Sequence, residues 1–367
     1  MTTTTTTPRL ALASRRWRYQ RAATAAPPAE DPPLGTVLTG DALAVLRTLP
    51  DASIDCVVTS PPYHQLRRYD AGEAEIGIQT HVDDYVTKLV NLCDELARVL
   101  TPTGGLWLNL GDSFSRGPKW GLAPKSLLLA PERLLLRLAE RGWIVRNKIV
   151  WAKPNPMPNS VRDRFSTTWE PLYFLVRDRR SYLDLDPIRE PHKTTRKPGP
   201  LKDDAKYGGT RPPWAGPLAG ANDGLEKTRA AGRAGHPLGK NPGDCWRIAT
   251  AGYRGAHFAV FPEELVRRPI LAGCPERVCR SCSAPWQREP RRDRLGDLRP
   301  ACGCRAGWRK GRVLDPFIGS GTVAVAAERH GRDWLGIELN PAFVAMATSR
   351  VAASRQRKTT SNGRRTA

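Results

Sequence analysis

Val313-Leu314-Asp315-Pro316-Phe317-Ile318-Gly319-Ser320-Gly321-Thr322-Val323 decides the fold. An apolar strand ends in an acidic residue and passes through a glycine-rich turn into a helix, which puts a ligand site at the carboxyl end of a strand in an open α/β sheet. A phosphate-binding loop would need Gly-Lys-Ser or Gly-Lys-Thr, and a dinucleotide fingerprint Gly-x-Gly-x-x-Gly; neither is present. Twenty-three residues after Asp315, Glu338 ends the next apolar stretch, where an acidic group suits the two hydroxyls of a ribose. Asp315 is placed to meet an ammonium group, and the glycines let the backbone approach closely. A nucleoside bearing an amino acid fits such a loop better than a pyrophosphate.

Working outward, a second loop, Asp55-Cys56-Val57-Val58-Thr59-Ser60-Pro61-Pro62-Tyr63, also follows a buried strand. Two prolines fix the backbone and have no N–H, so nearby carbonyls stay free as acceptors. Ser60 adds a hydroxyl acceptor and Tyr63 a flat face, a combination able to grip a planar amine. Thr36–Leu38, Ile54–Thr59, Gly105–Leu110, Trp143–Trp151 and Pro171–Val176 read as strands, and Val82–Leu100 and Pro131–Arg141 as amphipathic helices. Phe258–Leu271 regains helical periodicity, and Arg312–Asp315, Val323–His330 and Trp334–Leu339 read as strand, helix, strand. Strands alternating with helices predict a mostly parallel sheet covered on both faces.

The two loops together carry a resemblance. The chain resembles the S-adenosylmethionine-dependent DNA amino-methyltransferases, which modify the exocyclic nitrogen of cytosine or adenine. The resemblance covers most of residues 35–185 and 251–350 and implies a Rossmann-like S-adenosylmethionine-dependent methyltransferase fold. Thr59 to Tyr63 is similar to the family's catalytic loop, which implies catalytic roles for Ser60, Pro61, Pro62 and Tyr63. The Asp315–Thr322 loop is similar to its cofactor loop, implying cofactor contacts at Asp315, Phe317, Gly319, Ser320, Gly321, Thr322 and Glu338. Gly40-Asp41-Ala42 sits where the family holds the cofactor adenine, and His257 to Pro262 resembles the segment closing over the methionine moiety, which implies Asp41 and Phe261. Trp151 to Pro158, followed by Arg162 to Glu170, is similar to a stretch lining the target-base pocket. The catalytic loop precedes the cofactor loop, the circularly permuted order of the class usually called beta. That class carries a target-recognition region between its halves, which implies one at residues 186–250.

Composition sets the surroundings. The 367 residues carry 58 Lys plus Arg against 36 Asp plus Glu, a formal net charge of +22. Residues 1–30, 186–250, 275–312 and 353–367 hold +4, +5, +7 and +5 of it, leaving the periodic core nearly neutral. A neutral core with basic appendages suggests a polyanion partner such as a nucleic acid, and the resemblance implies that this partner is double-stranded DNA. The expected organisation is a disordered basic arm (1–34), a catalytic half (35–185), the recognition insertion (186–250), a cofactor-closing segment (251–274), a zinc-ribbon-like insertion (275–312), a cofactor-binding half (313–352) and a disordered basic tail (353–367). Cys279-x2-Cys282 and Cys302-x-Cys304 form two close pairs suited to a closed four-thiolate zinc site, with Cys274 outside the set. No stretch approaches the roughly 18 apolar residues of a membrane span and no signal-type start is visible, so a cytoplasmic, nucleoid-associated protein is expected.

Ser rather than Asp opens the Ser-Pro-Pro-Tyr loop, which resembles the cytosine-N4 enzymes more than the adenine-N6 enzymes. The expected activity is therefore site-specific N4-cytosine methylation of duplex DNA by base flipping, with N6-adenine methylation as the alternative. A non-catalytic, zinc-containing DNA-binding protein is a second alternative, opposed by the intact loops. A cysteine nucleophile for methylation at ring carbon 5 would need a Pro-Cys loop, which is absent. No nuclease signature is visible, so a restriction endonuclease partner would be a separate chain.

Overall fold

The computed structural model describes residues 31–66, 72, 75–158, 160–192, 236–250, 261–291 and 294–363, the last six by their backbone alone. Its frame is an eight-stranded sheet. In chain order the strands are β1 (Thr36–Thr39), β2 (Ile54–Thr59), β3 (Leu100–Asn109), β4 (Ile144–Ala152), β5 (Trp169–Val176), β6 (Cys245–Arg247), β11 (Arg312–Asp315) and β12 (Asp333–Glu338). Four two-residue strands between them are β7 (Val278–Cys279), β8 (Gln287–Arg288), β9 (Leu298–Arg299) and β10 (Trp308–Arg309). Across the sheet the order is β1-β12-β11-β2-β3-β5-β4-β6. The five strands from β1 to β3 are parallel, β5 runs against both neighbours, and β6 lies parallel to β4.

The strands form where they do because both sides of them are buried. Every residue of β2 and β11 is buried, the near-continuous apolar pattern of strands with both faces covered. Helices α1 (Ala42–Thr48), α2 (Val82–Val99) and α3 (Ala130–Glu140) cover one face, packing Leu46, Leu89, Leu96 and Leu134 on Val57, Leu106 and Leu335. On the other face, α4 (Glu263–Gly273), α5 (Thr322–Arg329) and α6 (Pro341–Gly363) bring Leu265, Ile270, Val325 and Val351 onto Cys56, Val58, Trp107 and Phe174. The α2 pattern is amphipathic, and its apolar residues are the buried ones.

The predicted strands and helices form: Ile54–Thr59 and Arg312–Asp315 keep their bounds, β3 begins at Leu100 and not at Gly105, and the helix expected over Phe258–Leu271 runs over Glu263–Gly273, residues 258–260 lying outside the described ones. Within residues 186–250, where no strand is read from the sequence, β6 pairs with β4 at the edge of the sheet, Trp246 opposite Trp151. Glu190 and Lys240 exchange backbone hydrogen bonds at 3.0 and 2.8 Å, so the two described ends of this segment meet at a neck. Residues 193–235, which hold the middle of the expected recognition insertion, lie outside the described residues, as do 1–30 of the expected basic arm, 251–260 of the expected closing segment and 364–367 of the expected tail. Among the described residues no helix is long and apolar enough to cross a membrane.

Candidate active site

The sheet's topology gathers the singled-out residues at one edge. After β11 the chain crosses through α5 to β12 on one side, and after β2 it crosses through α2 to β3 on the other. The crevice outside the carboxyl ends of β11 and β2 is thus a topological switch point, the place where such sheets bind ligands. Asp315 ends β11, Glu338 ends β12, Ser60 follows β2, Asn109 ends β3, and Lys153 follows β4. Because β5 runs the other way, Glu170 near its start arrives at the same edge.

Asp315 is 1% exposed. Its Oδ1 accepts from Thr59 Oγ1 at 2.7 Å and from the Phe317 N–H at 3.0 Å, while its buried Oδ2 has no partner among the described residues. Burial pushes this carboxyl up to about 7, against the hydrogen bonds from Thr59 and Phe317. An orphaned carboxylate oxygen at a strand end is a place for a cationic ligand. Glu338 accepts from the Gly319 and Asn340 N–H groups, both at 3.0 Å, and burial raises its carboxyl too. Gly319 and Gly321 have φ of +48° and +80°, conformations that suit glycine. A Cβ on Gly321 would also lie 3.2 Å from Ala347, so the turn is held tight against α6.

Other expected cofactor residues have work within the chain. The Ser320 and Thr322 hydroxyls both take hydrogen bonds from Arg350 Nη1 of α6, each at 2.9 Å, so they brace the loop. Asp41 is drawn beside Glu338 by the Gly40 N–H to Glu338 carbonyl bond at 2.9 Å, and one of its carboxylate oxygens caps α1 through the Ala44 N–H at 2.8 Å. Phe317 and Phe261 are half-buried against the two faces of the core.

In the Ser-Pro-Pro-Tyr loop Pro61 is buried, and Ser60, Pro62 and Tyr63 are half-buried. The Pro62 carbonyl accepts from Tyr85 at 2.8 Å, which pins the loop to α2. Tyr63 is held more firmly than its expected part as a stacking face requires. Its hydroxyl donates to Glu170 Oε2 at 2.7 Å and lies 3.1 Å from Asn109 Oδ1. Its ring lies on Gly111, where a Cβ would come within 2.5 Å of Cε2. Lys153 Nζ pairs with Glu170 Oε1 and sits 4.4 Å over the Trp151 ring. Burial first, and then the Glu170 charge, hold the Tyr63 phenol well above its ordinary range. Asn109, Gly111 and the pairing of Lys153 with Glu170 are the parts that sequence reasoning missed. Only the resemblance around Trp151 and Glu170 pointed toward them.

The cysteine cluster lies at the opposite edge. The segment joins the end of α4 to the start of β11, with β7 pairing β10 and β8 pairing β9. Arg309 clamps it to Asp55 at the start of β2, and Arg288 to Asp184 beyond the end of β5. The ligand atoms of Cys279, Cys282, Cys302 and Cys304 all lie within 4.8 Å of one another, spacing that fits thiolates around one zinc with Zn–S bonds of about 2.3 Å. Burial raises the Cys279 thiol, but the N–H groups of Cys282 and Ser281 and the neighbouring thiols bring it down to about 7, while burial and the neighbouring thiols raise Cys282 to about 12, so the thiols share their protons as one group. Cys274 is buried apart from this group.

Comparison with known proteins agrees with this geometry. A family model described as DNA methylase, of the N6/N4 amino type, matches residues 54–349. The chain is 34% identical over 337 residues to the type II methyltransferase M.Cfr9I of Citrobacter freundii, covering 86% of this chain and 87% of that protein. It is 32% identical over 340 residues to the type II methyltransferase M.SmaI of Serratia marcescens, covering 87% and 91%. The solved PvuII DNA methyltransferase (cytosine-N4-specific) shares the fold, with a TM-score of 0.52, 17% identity, and coverage of 91% of this chain and 95% of that one. Together with these matches, the open, mostly parallel sheet with its acidic loop and Ser-Pro-Pro-Tyr loop at one switch point is that of an S-adenosylmethionine-dependent methyltransferase. The chain belongs to the N6/N4 DNA methylase family.

Proposed function

We propose that this chain methylates the exocyclic N4 of cytosine at a specific site in duplex DNA, as the modification enzyme of a type II restriction system whose endonuclease is a separate chain acting on the same cytoplasmic DNA. The observation that carries the base assignment is Ser60. Its hydroxyl sits half-buried at the end of β2, and among the described residues its single bond within the chain runs to Tyr63. The oxygen is left able to accept from an amino group, and so is the neighbouring Pro61 carbonyl. Such an acceptor pair can align either exocyclic amine, and Ser rather than Asp at this position, which resembles the cytosine-N4 enzymes, is what favours cytosine.

The residues fit the donor. Asp315, with its orphaned oxygen, suits the ammonium of S-adenosylmethionine, and Glu338 suits its ribose hydroxyls. Gly319 and Gly321 admit the backbone, and Asp41, Phe317 and Phe261 flank the adenine and methionine ends. When bound, the donor supplies an electrophilic methyl group, so the chain has no covalent intermediate to form. An aromatic amine is a weak nucleophile because its lone pair is delocalised into the ring. Two hydrogen bonds, to Ser60 and the Pro61 carbonyl, draw the nitrogen toward tetrahedral geometry and aim that lone pair. The base must first leave the duplex, at a cost of a few kcal/mol, and Tyr63 offers the aromatic face that replaces its stacking neighbours. The basic insertion at residues 186–250 supplies target recognition, and the zinc holds the 275–312 segment together as a structural ion.

Nucleoside mass spectrometry of DNA methylated in vitro tests the assignment. N4-methylcytosine is expected, and N6-methyladenine alone would overturn the base. Full activity in Ser60→Ala would overturn the role of that hydroxyl.

A further inference from the structure

A methylated exocyclic amine carries a positive charge until it loses a proton, and the hydroxyls behind Ser60 lead to a carboxylate. Ser60 Oγ donates toward the Tyr63 oxygen at 3.4 Å, and the Tyr63 hydroxyl donates to Glu170 Oε2 at 2.7 Å. Both donors point the same way, so the Ser60 oxygen can accept at one end while the carboxylate closes the other. Glu170 is held in place by Asn109 Nδ2 at 3.3 Å and by Lys153, and the Lys153 and Glu170 side chains are only 17% and 18% exposed. A ring used for stacking alone has no need of this wiring, since phenylalanine would give the same face.

The geometry points to Glu170 as the final acceptor of the proton released by the methylated amine, reached through Ser60 and Tyr63, with Lys153 and Asn109 as positioning residues. The amine N–H bond breaks as an O–H bond forms on Ser60. The original Ser60 proton passes to the Tyr63 oxygen, and the original Tyr63 proton passes to Glu170 Oε2. The amine's positive charge is cancelled by the negative charge on Glu170, and both hydroxyls end as they began. Tyr63 hands on one proton as it receives another, which fits a phenol whose burial and carboxylate neighbour oppose ionisation. Water then takes the proton from the carboxyl at the half-buried pair with Lys153.

This inference rests on the placement of the target amine at Ser60 and holds for either exocyclic amine. The test is single-turnover methylation of a duplex by the full chain carrying Tyr63→Phe, which keeps the ring. The rate is expected to fall about 10²-fold, with KM for DNA unchanged. 2-Aminopurine fluorescence at the target position should still report flipping. A solvent deuterium isotope effect present in the unaltered chain should disappear in the variant. Glu170→Gln alone strands Lys153, so the partner variant is Glu170→Gln with Lys153→Met, which should show the same fall. Tyr63→Phe working at the full rate, or a loss carried by KM, would overturn the relay. If Ser60→Ala is inactive while Tyr63→Phe is fully active, the relay alone fails. A fully active Ser60→Ala removes the placement of the amine and the relay together.

Discussion

Asp315 adds a pH dependence to the unliganded protein. Its carboxyl is raised from 3.8 to about 7 by burial, so between those values the folded chain holds a proton that the unfolded chain has lost. Stability therefore falls as pH rises through this window and levels off above it. Asp315→Asn is expected to raise the melting temperature at about pH 8 and leave it unchanged at about pH 3, while S-adenosylmethionine affinity drops at least about tenfold, the scale of one lost charge contact. Thermal melts at both pH values and titration calorimetry check this, and unchanged affinity would remove Asp315 from the cofactor site. Gly111 makes a second case at this scale. The Tyr63 ring fills the space that a Cβ would need, so Gly111→Ala should push Tyr63 off Glu170. Methylation should be lost while calorimetry shows the cofactor affinity unchanged.

Between elements, the cysteine segment and the sheet are joined by buried charge. Asp55 is 2% exposed and is held by Arg309 and by the Arg312 N–H. Removing one partner of such a pair leaves a buried charge short of its counterion, at a cost of about 3–5 kcal/mol. Arg309→Ala should lower the melting temperature accordingly. Stripping zinc should do much the same, because an unfolded segment takes Arg309 and Arg288 away from Asp55 and Asp184. Elemental analysis should find one zinc per chain, and calorimetry before and after chelation reads the coupling. No metal in protein purified without chelator would discard the site. α6 acts on the opposite edge, where Arg350 braces Ser320 and Thr322, and Arg350→Ala should weaken cofactor binding with little effect on metal content.

Over the whole molecule, charge and topology divide the labour. Most of the +22 lies outside the periodic core. DNA affinity should fall by a factor on the order of 10³ or more between about 50 and 200 mM salt; a filter-binding series that stays flat would show that these charges do not meet the backbone. The amino-acid sequence by itself determined the strands, the helices, the two loops and their permuted order. Each depends on local pattern: the Cys56-Val57-Val58 apolar run of β2, the amphipathic repeat of α2, the Asp315 to Thr322 turn. It also determined the two cysteine pairs. Tertiary structure alone decided that β5 inserts antiparallel between β3 and β4, which carries Glu170 to Tyr63 across 107 residues of chain. It alone returned β6 to the sheet from within the insertion, turned Ser320 and Thr322 toward Arg350, and set the cysteines at the edge away from the chemistry. Local periodicity records which face of a strand is buried, but strand order and register come from the joint packing of both sheet faces, and the site's wiring follows from that packing.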